Sequence, residues 1–300
     1  MQQSDRAGLL YALAGFSTLS IGDAIVKSMA GLWPPTAMGA TRYVLAAIGL
    51  CGMLAAREGV GALFRMPKAR IQWVRGLSVC FATFGMFTAV WLMPLAEATT
   101  ITFTQPMITA LLAVLILGER LRPVAVLCTL AAFVGVVIVL RPNFAVVGWA
   151  VLFPLLAASS MAMLMIANRA AAHSASVLAM QAYIAMTASV FLVIATVLGH
   201  LSGLPQLQMH WPDWTVLARC AFIAVSASVA HWLIYMGTAK AGAATVAPMT
   251  YGQLLVASVI GWFFFNEAPD AISLLGAAII IGAGLVLWAQ GKVRQPPEGV

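Results

Sequence analysis

The ionisable chemistry open to this chain is narrow: nine acids, sixteen bases and four histidines among 300 residues. None of them stands in a pattern that soluble enzymes use. There is no HExxH zinc pair, no GxxxxGK[ST] phosphate loop and no GxSxG elbow. Zinc hydrolysis, ATP-driven pumping and acyl transfer therefore lose their residues. Cys51, Cys80, Cys128 and Cys220 are isolated from one another, and read as small buried hydrophobes rather than metal ligands. Ser226 and His231 come nearest to a catalytic pair. They are five residues apart and miss the i,i+4 register that brings helix side chains together. No enzyme activity, metal or cofactor is expected.

What remains is binding. Gln105 and Gln253 close two matching quartets, Thr102-Phe103-Thr104-Gln105 and Thr250-Tyr251-Gly252-Gln253, offset by 148 residues. An amide inside an apolar segment must find polar partners, so two at equivalent places are candidates to hold a substrate. Pro106 and Pro248 lie in the same segments; each breaks the backbone ladder and frees carbonyls that can line a cavity. Ser17, Ser159, Tyr251, His231, Phe84 and Trp232 fall at a similar depth and complete the expected substrate-binding set. Blander roles compete for some of them. A membrane serine serves as helix–helix glue, and a neutral histidine can simply be hydrogen-bonded between helices.

Amides, hydroxyls and aromatic faces suit a small zwitterion or an amphipathic cation, which the rings can hold by cation–π contact. An amino acid or related metabolite is the leading expectation, with cationic or aromatic drugs as the alternative. No basic cluster is available at that depth to hold a phosphate.

Near the opposite face from the termini, Asp23 and Lys27 are four residues apart and Arg42 lies at a similar depth. Asp23 and Arg42 are read as a gate whose ion pair opens; a constitutive structural pair is the other reading. Glu119 and Glu267 are repeat equivalents placed just before proline-marked helix starts. Each is expected to face the positive end of the next helix.

The elements that position these residues follow from composition. Hydrophobic side chains make up 62% of the chain and charged ones 8%, with a mean hydropathy of +0.98. A soluble domain averages about 25% charged residues, so the chain is expected to be a polytopic membrane protein. Ten apolar runs follow: 8–30, 34–56, 71–93, 96–117, 123–140, 146–168, 176–199, 214–238, 242–265 and 270–290. The runs are continuous, not alternating, which excludes a membrane barrel.

With the N-terminus in the cytoplasm, Arg6, Arg57, Arg65, Lys68, Arg70, Arg75, Arg120, Arg122, Arg169, Lys240, Lys292 and Arg294 lie inside. Only Lys27, Arg141 and Arg219 lie outside, a bias that puts both termini in the cytoplasm of an inner-membrane protein. The net charge of +7 is then a retention signal, helped by anionic headgroups, and needs no nucleic-acid partner.

The quartets belong to a longer pattern. Ser17, Thr18 and Lys27 match Ser159, Ser160 and Arg169 at an offset of 142. The halves are therefore 1–142 and 143–300, with five spans each. An odd number of spans turns the second copy upside down, as in carriers built from inverted repeats. Leu95-Ala96-Glu97-Ala98-Thr99-Thr100 through Gly118-Glu119-Arg120-Leu121 and Ala241-Gly242-Ala243-Ala244 through Pro248 to Glu267 resemble the EamA-type repeat of the drug/metabolite transporter superfamily. So does Gly276 to Gly284. Asn266 and Cys128 depart from it, standing where that family commonly has glycine.

The resemblance implies an all-α membrane protein with ten transmembrane helices as two inverted five-helix repeats around a central cavity. It also implies export of small metabolites, often amino acids. Without a nucleotide loop, transport is expected to run on gradients, by a monomer or weak dimer. A channel is the other reading; it would want a charged ring, and none is visible.

Overall fold

The computed structural model describes residues 3–117, 123–140, 148–171, 174–241 and 247–292, and among these no strand occurs. The helices are α1 (Gln3–Lys27), α2 (Pro35–Glu58), α3 (Gly61–Phe64), α4 (Ala69–Leu92), α5 (Leu95–Thr102), α6 (Gln105–Leu117) and α7 (Pro123–Leu140). A 3-10 turn at Gly148–Val151 leads into α8 (Leu152–Ala171), followed by α9 (Val177–Leu201) and α10 (Trp214–Ala241). A further 3-10 turn, Ala247–Thr250, leads into α11 (Tyr251–Phe265), and α12 (Ala271–Lys292) ends the series.

Among the described residues, six segments are long and apolar enough to cross a membrane: Ala7–Lys27, Pro35–Glu58, Ala69–Leu92, Gly148–Asn168, Val177–Leu201 and Trp214–Ile234. Val126–Ile138, Tyr251–Phe265 and Ala271–Val286 are apolar but shorter. The protein is an integral, multi-pass membrane protein.

Proline sets several of these boundaries. Pro35 and Pro123 open α2 and α7, and Pro94 precedes α5, where a missing N–H costs no intrahelical bond. The apolar run 96–117 is divided at Pro106, where a broken backbone ladder is expected. Pro106 has no N–H to offer the carbonyl four residues back, so α5 stops at Thr102 and α6 restarts at Gln105. Between them the backbone tightens to i→i−3 bonds, Phe103 N to Thr100 O and Thr104 N to Ile101 O, each 3.1 Å. Pro248 lies in the matching 3-10 turn before α11.

Two compact units result. Unit 1 holds Met1–Ala24, Met93–Val151 and Ser226–Val300; unit 2 holds Ile25–Leu92 and Leu152–Val225. Packing thus cuts across the sequence halves divided at residue 142, because each unit takes helices from both. In unit 2, α2 lies on α9 and α4 lies on α8 and α9; in unit 1, α7 lies on α12 and α5 on α11. Most of these partners are repeat mates. The starts of α2 and α9 are 142 residues apart (177 − 35), and those of α7 and α12 are 148 apart (271 − 123).

Small residues let these helices approach. A Cβ on Gly135 of α7 would lie 2.6 Å from the Ile280 side chain and 2.9 Å from the Gly276 carbonyl oxygen of α12. Met107, Cys128, Ala132 and Ala283 form the buried cluster beside this crossing. The departure from family glycine at Cys128 is thereby absorbed as a small core side chain. Gly135→Val is expected to destabilise unit 1 by about 1–3 kcal/mol through overpacking. Thermal unfolding in detergent should show it against Gly49→Val, where a Cβ meets nothing within 4 Å.

Arg75, counted on the cytoplasmic side and within the run 71–93, is buried on α4 and 3% exposed. Its Nε donates to Asn168 Oδ1 at 2.6 Å, and Nη1 reaches Gln72 Oε1 and, at 3.3 Å, the Met180 carbonyl. The connection after α2 is also more than a loop, since it contains α3.

The acids at the α11–α12 turn cap helices. Asp270 Oδ1 accepts from Ser273 N at 2.7 Å, closing the start of α12. Glu267 Oε2 accepts from Leu95 N at 3.0 Å, so it meets the positive end of α5. Glu119 lies outside the described residues.

Candidate substrate site

In unit 1 the repeat quartets meet. Phe103 and Tyr251, at matching positions 148 residues apart, pack edge to face with ring centroids 5.4 Å apart and planes at 86°. This is the favoured geometry for two aromatic quadrupoles. Gln105 opens α6, and its carbonyl accepts from Thr109 Oγ1 at 2.8 Å. Gln253 lies in the first turn of α11. Each glutamine therefore follows one ring of the pair by two residues. The Tyr251 hydroxyl points at Gly284 of α12, where any Cβ would collide with it and lie 3.6 Å from Met107 Cε.

Gln253 is engaged at both its backbone and its side chain. Its Nε2 donates to Asp23 Oδ2 at 3.2 Å, and its carbonyl accepts from Ser20 Oγ at 3.1 Å. Ser20 is 1% exposed. A carboxylate assigned to a gate is thus oriented by an amide assigned to the substrate, and the two belong to one cluster. Ser17 lies on the same helix, α1, and is half-buried. The cluster is acidic, hydrogen-bonded and near an aromatic pair. Such a surrounding attracts a positively charged group and offers a flat face to a ring.

His231 and Trp232 are exposed on α10, Trp232 to 57%, and His231 Nδ1 lies 2.7 Å from the Ala227 carbonyl of its own helix. Ser159 is exposed on α8 of unit 2. Phe84 packs edge to face on Phe153, with centroids 5.7 Å apart. Arg42 stacks over Tyr43 at 4.8 Å and lies 5.7 Å from the Phe87 ring. Lys27 Nζ donates to the Val90 carbonyl at 3.2 Å. A shallow crevice in unit 1 is lined by Glu97, Thr100, Ser258 and Ser273 among others, and neither glutamine lines it.

Phe103, Met107 and Gly284, which surround Tyr251, are the candidate residues that sequence reasoning passed over. Phe103 had a signal, because it occupies the same place in its quartet as Tyr251. Gly284→Ala should push the Tyr251 ring aside and raise the transport KM about tenfold, equivalent to about 1.4 kcal/mol. Uptake kinetics on folded protein would check it, with unchanged KM counting against the ring's role.

The EamA-like transporter family model matches this chain twice, over residues 6–141 and 148–289. The chain belongs to the EamA-like transporter family. It is therefore a membrane transporter of that type. An S-adenosylmethionine uptake transporter of Rickettsia prowazekii (strain Madrid E) is 27% identical over 288 residues, covering 95% of this chain and 94% of the relative. The protein of the same name from Rickettsia bellii (strain RML369-C) is 31% identical over 225 residues, covering 74% of each. A riboflavin transporter of Brucella anthropi is 24% identical over 290 residues, covering 94% of this chain and 97% of the relative. A solved crystal structure matches with a TM-score of 0.59 and 20% identity, covering 97% of this chain and 98% of its own. That likeness concerns the fold alone.

Proposed function

We propose that this EamA-family member is a secondary carrier for a small cationic or zwitterionic metabolite bearing an amino-acid head, with S-adenosylmethionine as the best fit. It works by alternating access in the inner membrane, with both termini cytoplasmic and a monomer or weak dimer as the working form. The observation that carries this reading is the hydrogen-bonded Asp23–Gln253 pair beside the Phe103–Tyr251 rings. A sulfonium or ammonium group is matched by the carboxylate, an α-carboxylate by amide N–H groups, and a purine by the aromatic faces.

Two relatives named for S-adenosylmethionine uptake support this substrate and the inward direction. Export of a free amino acid is the second reading, since the same carboxylate and amide would hold its ammonium group. Riboflavin, named for another relative, would use the rings but has no cation for Asp23. Gln105, Ser17, His231 and Trp232 remain proposed lining residues, as do Phe84 and Ser159. Asp23 and Arg42 remain the proposed gating residues.

Purified protein in liposomes tests the proposal. Saturable, counterflow-stimulated uptake of labelled S-adenosylmethionine, competed by unlabelled compound and not by riboflavin, is the expected result. Counterflow with amino acids alone would favour the second reading. Linear, non-saturable flux of all solutes would overturn the carrier.

A further inference from the structure

We propose that the connection between α2 and α4 is a seat for an anionic phospholipid. Its frame is rigid. Ala62, Leu63 and Met66 pack on the buried cluster of Leu54, Ala179, Ala182 and Tyr183. The Tyr183 hydroxyl lies 2.7 Å from the Ala62 carbonyl oxygen and 3.0 Å from that of Arg65. Lys68 Nζ donates to the Ala170 carbonyl at 2.6 Å. These bonds hold backbone and the one lysine, and leave other side chains of the segment for an outside partner.

Those side chains have two chemistries. Val60 and Phe64, four residues apart, are 63% and 82% exposed, opposite the face that packs. Arg57, Arg65 and Arg70 are exposed around them. Glu58 is the lone acid between residues 57 and 75, and it already accepts from Ser176 Oγ at 2.5 Å. The result is three exposed guanidinium groups against one carboxylate, beside an uncovered phenyl ring at the end of two spanning helices. Guanidinium forks bind phosphate oxygens in pairs. A phenyl and a valyl side chain at the bilayer boundary lie against acyl chains. A phosphodiester with acyl chains satisfies both; a soluble phosphate would satisfy the arginines and leave Phe64 and Val60 uncovered.

Full-length protein in a neutral detergent can be titrated with phosphatidylglycerol, phosphatidylcholine or glycerol phosphate, and followed by native mass spectrometry and thermal unfolding. Phosphatidylglycerol is expected to bind and raise Tm, while phosphatidylcholine does neither. Arg57→Gln, Arg65→Gln and Arg70→Gln should each weaken phosphatidylglycerol binding about fivefold, with Tm in phosphatidylcholine unchanged. The three single variants give that reading even where the triple variant fails to fold. Phe64→Ser should weaken lipid binding and leave glycerol phosphate unaffected. Equal binding of the two lipids, or full affinity in every arginine variant, would overturn the seat. A Tm rise of the same size from glycerol phosphate, insensitive to Phe64→Ser, would assign the arginines to a soluble phosphate and overturn the lipid.

Discussion

Asp23→Asn is expected to lower S-adenosylmethionine uptake by about 30-fold or more, the cost of removing one partner from a partly buried charge pair, about 2–5 kcal/mol. The substitution keeps the size of the side chain, and its Oδ1 can still accept from Gln253 Nε2, now 3.2 Å from the carboxylate. What it removes is the negative charge that a sulfonium or ammonium group would face. The folded yield should therefore match wild type while transport collapses. Gln253→Ala leaves the charge but frees its orientation, so a smaller loss, about tenfold, is expected from one lost hydrogen bond to a charged group. The pair of variants separates charge from geometry. Wild-type kinetics in Asp23→Asn would remove the carboxylate from the site, whatever Gln253→Ala does.

Arg75→Ala is expected to cost about 3–5 kcal/mol of stability. It should show as a large fall in Tm and loss of the monodisperse species in detergent. Asn168 Oδ1, Gln72 Oε1 and the Met180 carbonyl all receive the Arg75 guanidinium. Truncation leaves these acceptors without a donor, and leaves a void at a position 3% exposed. Gln72 is fully buried as well, and its carbonyl is the 3.3 Å acceptor of Thr187 Oγ1, so the damage spreads to α9. Arg75→Lys should recover part of the loss, because a single ammonium cannot reach three acceptors in a fork. Arg70→Ala, at an exposed position of the same helix, should stay within about 0.5 kcal/mol of wild type.

The contrast between these two arginines marks how far sequence reaches. Both stand in a basic stretch and contribute equally to the orientation bias. Burial of Arg75 depends on Asn168, 93 residues away in the chain, and no local pattern announces that partner. The break at Thr102–Gln105 was readable, because a proline forbids a particular hydrogen bond. So was the matching of Phe103 with Tyr251, because both sit in repeated quartets. That the rings touch was not readable, since repetition says which positions correspond and not which helices adjoin. Glu267 shows the same gap. Its place at a helix start could be foreseen, but the helix it caps is α5, 172 residues earlier.

The packing of α2 on α9 and α7 on α12 also bears on how the chain is made. A ribosome adds about 5–20 residues each second, and the start of α9 follows that of α2 by 142 residues. A newly inserted α2 therefore waits about 7–28 s, with lipid against its future contact face, before its mate exists. Until then α2 and α7 lack their main packing partners. Synthesised as two separate polypeptides, the halves should each insert and then recover transport only when present in the same bilayer.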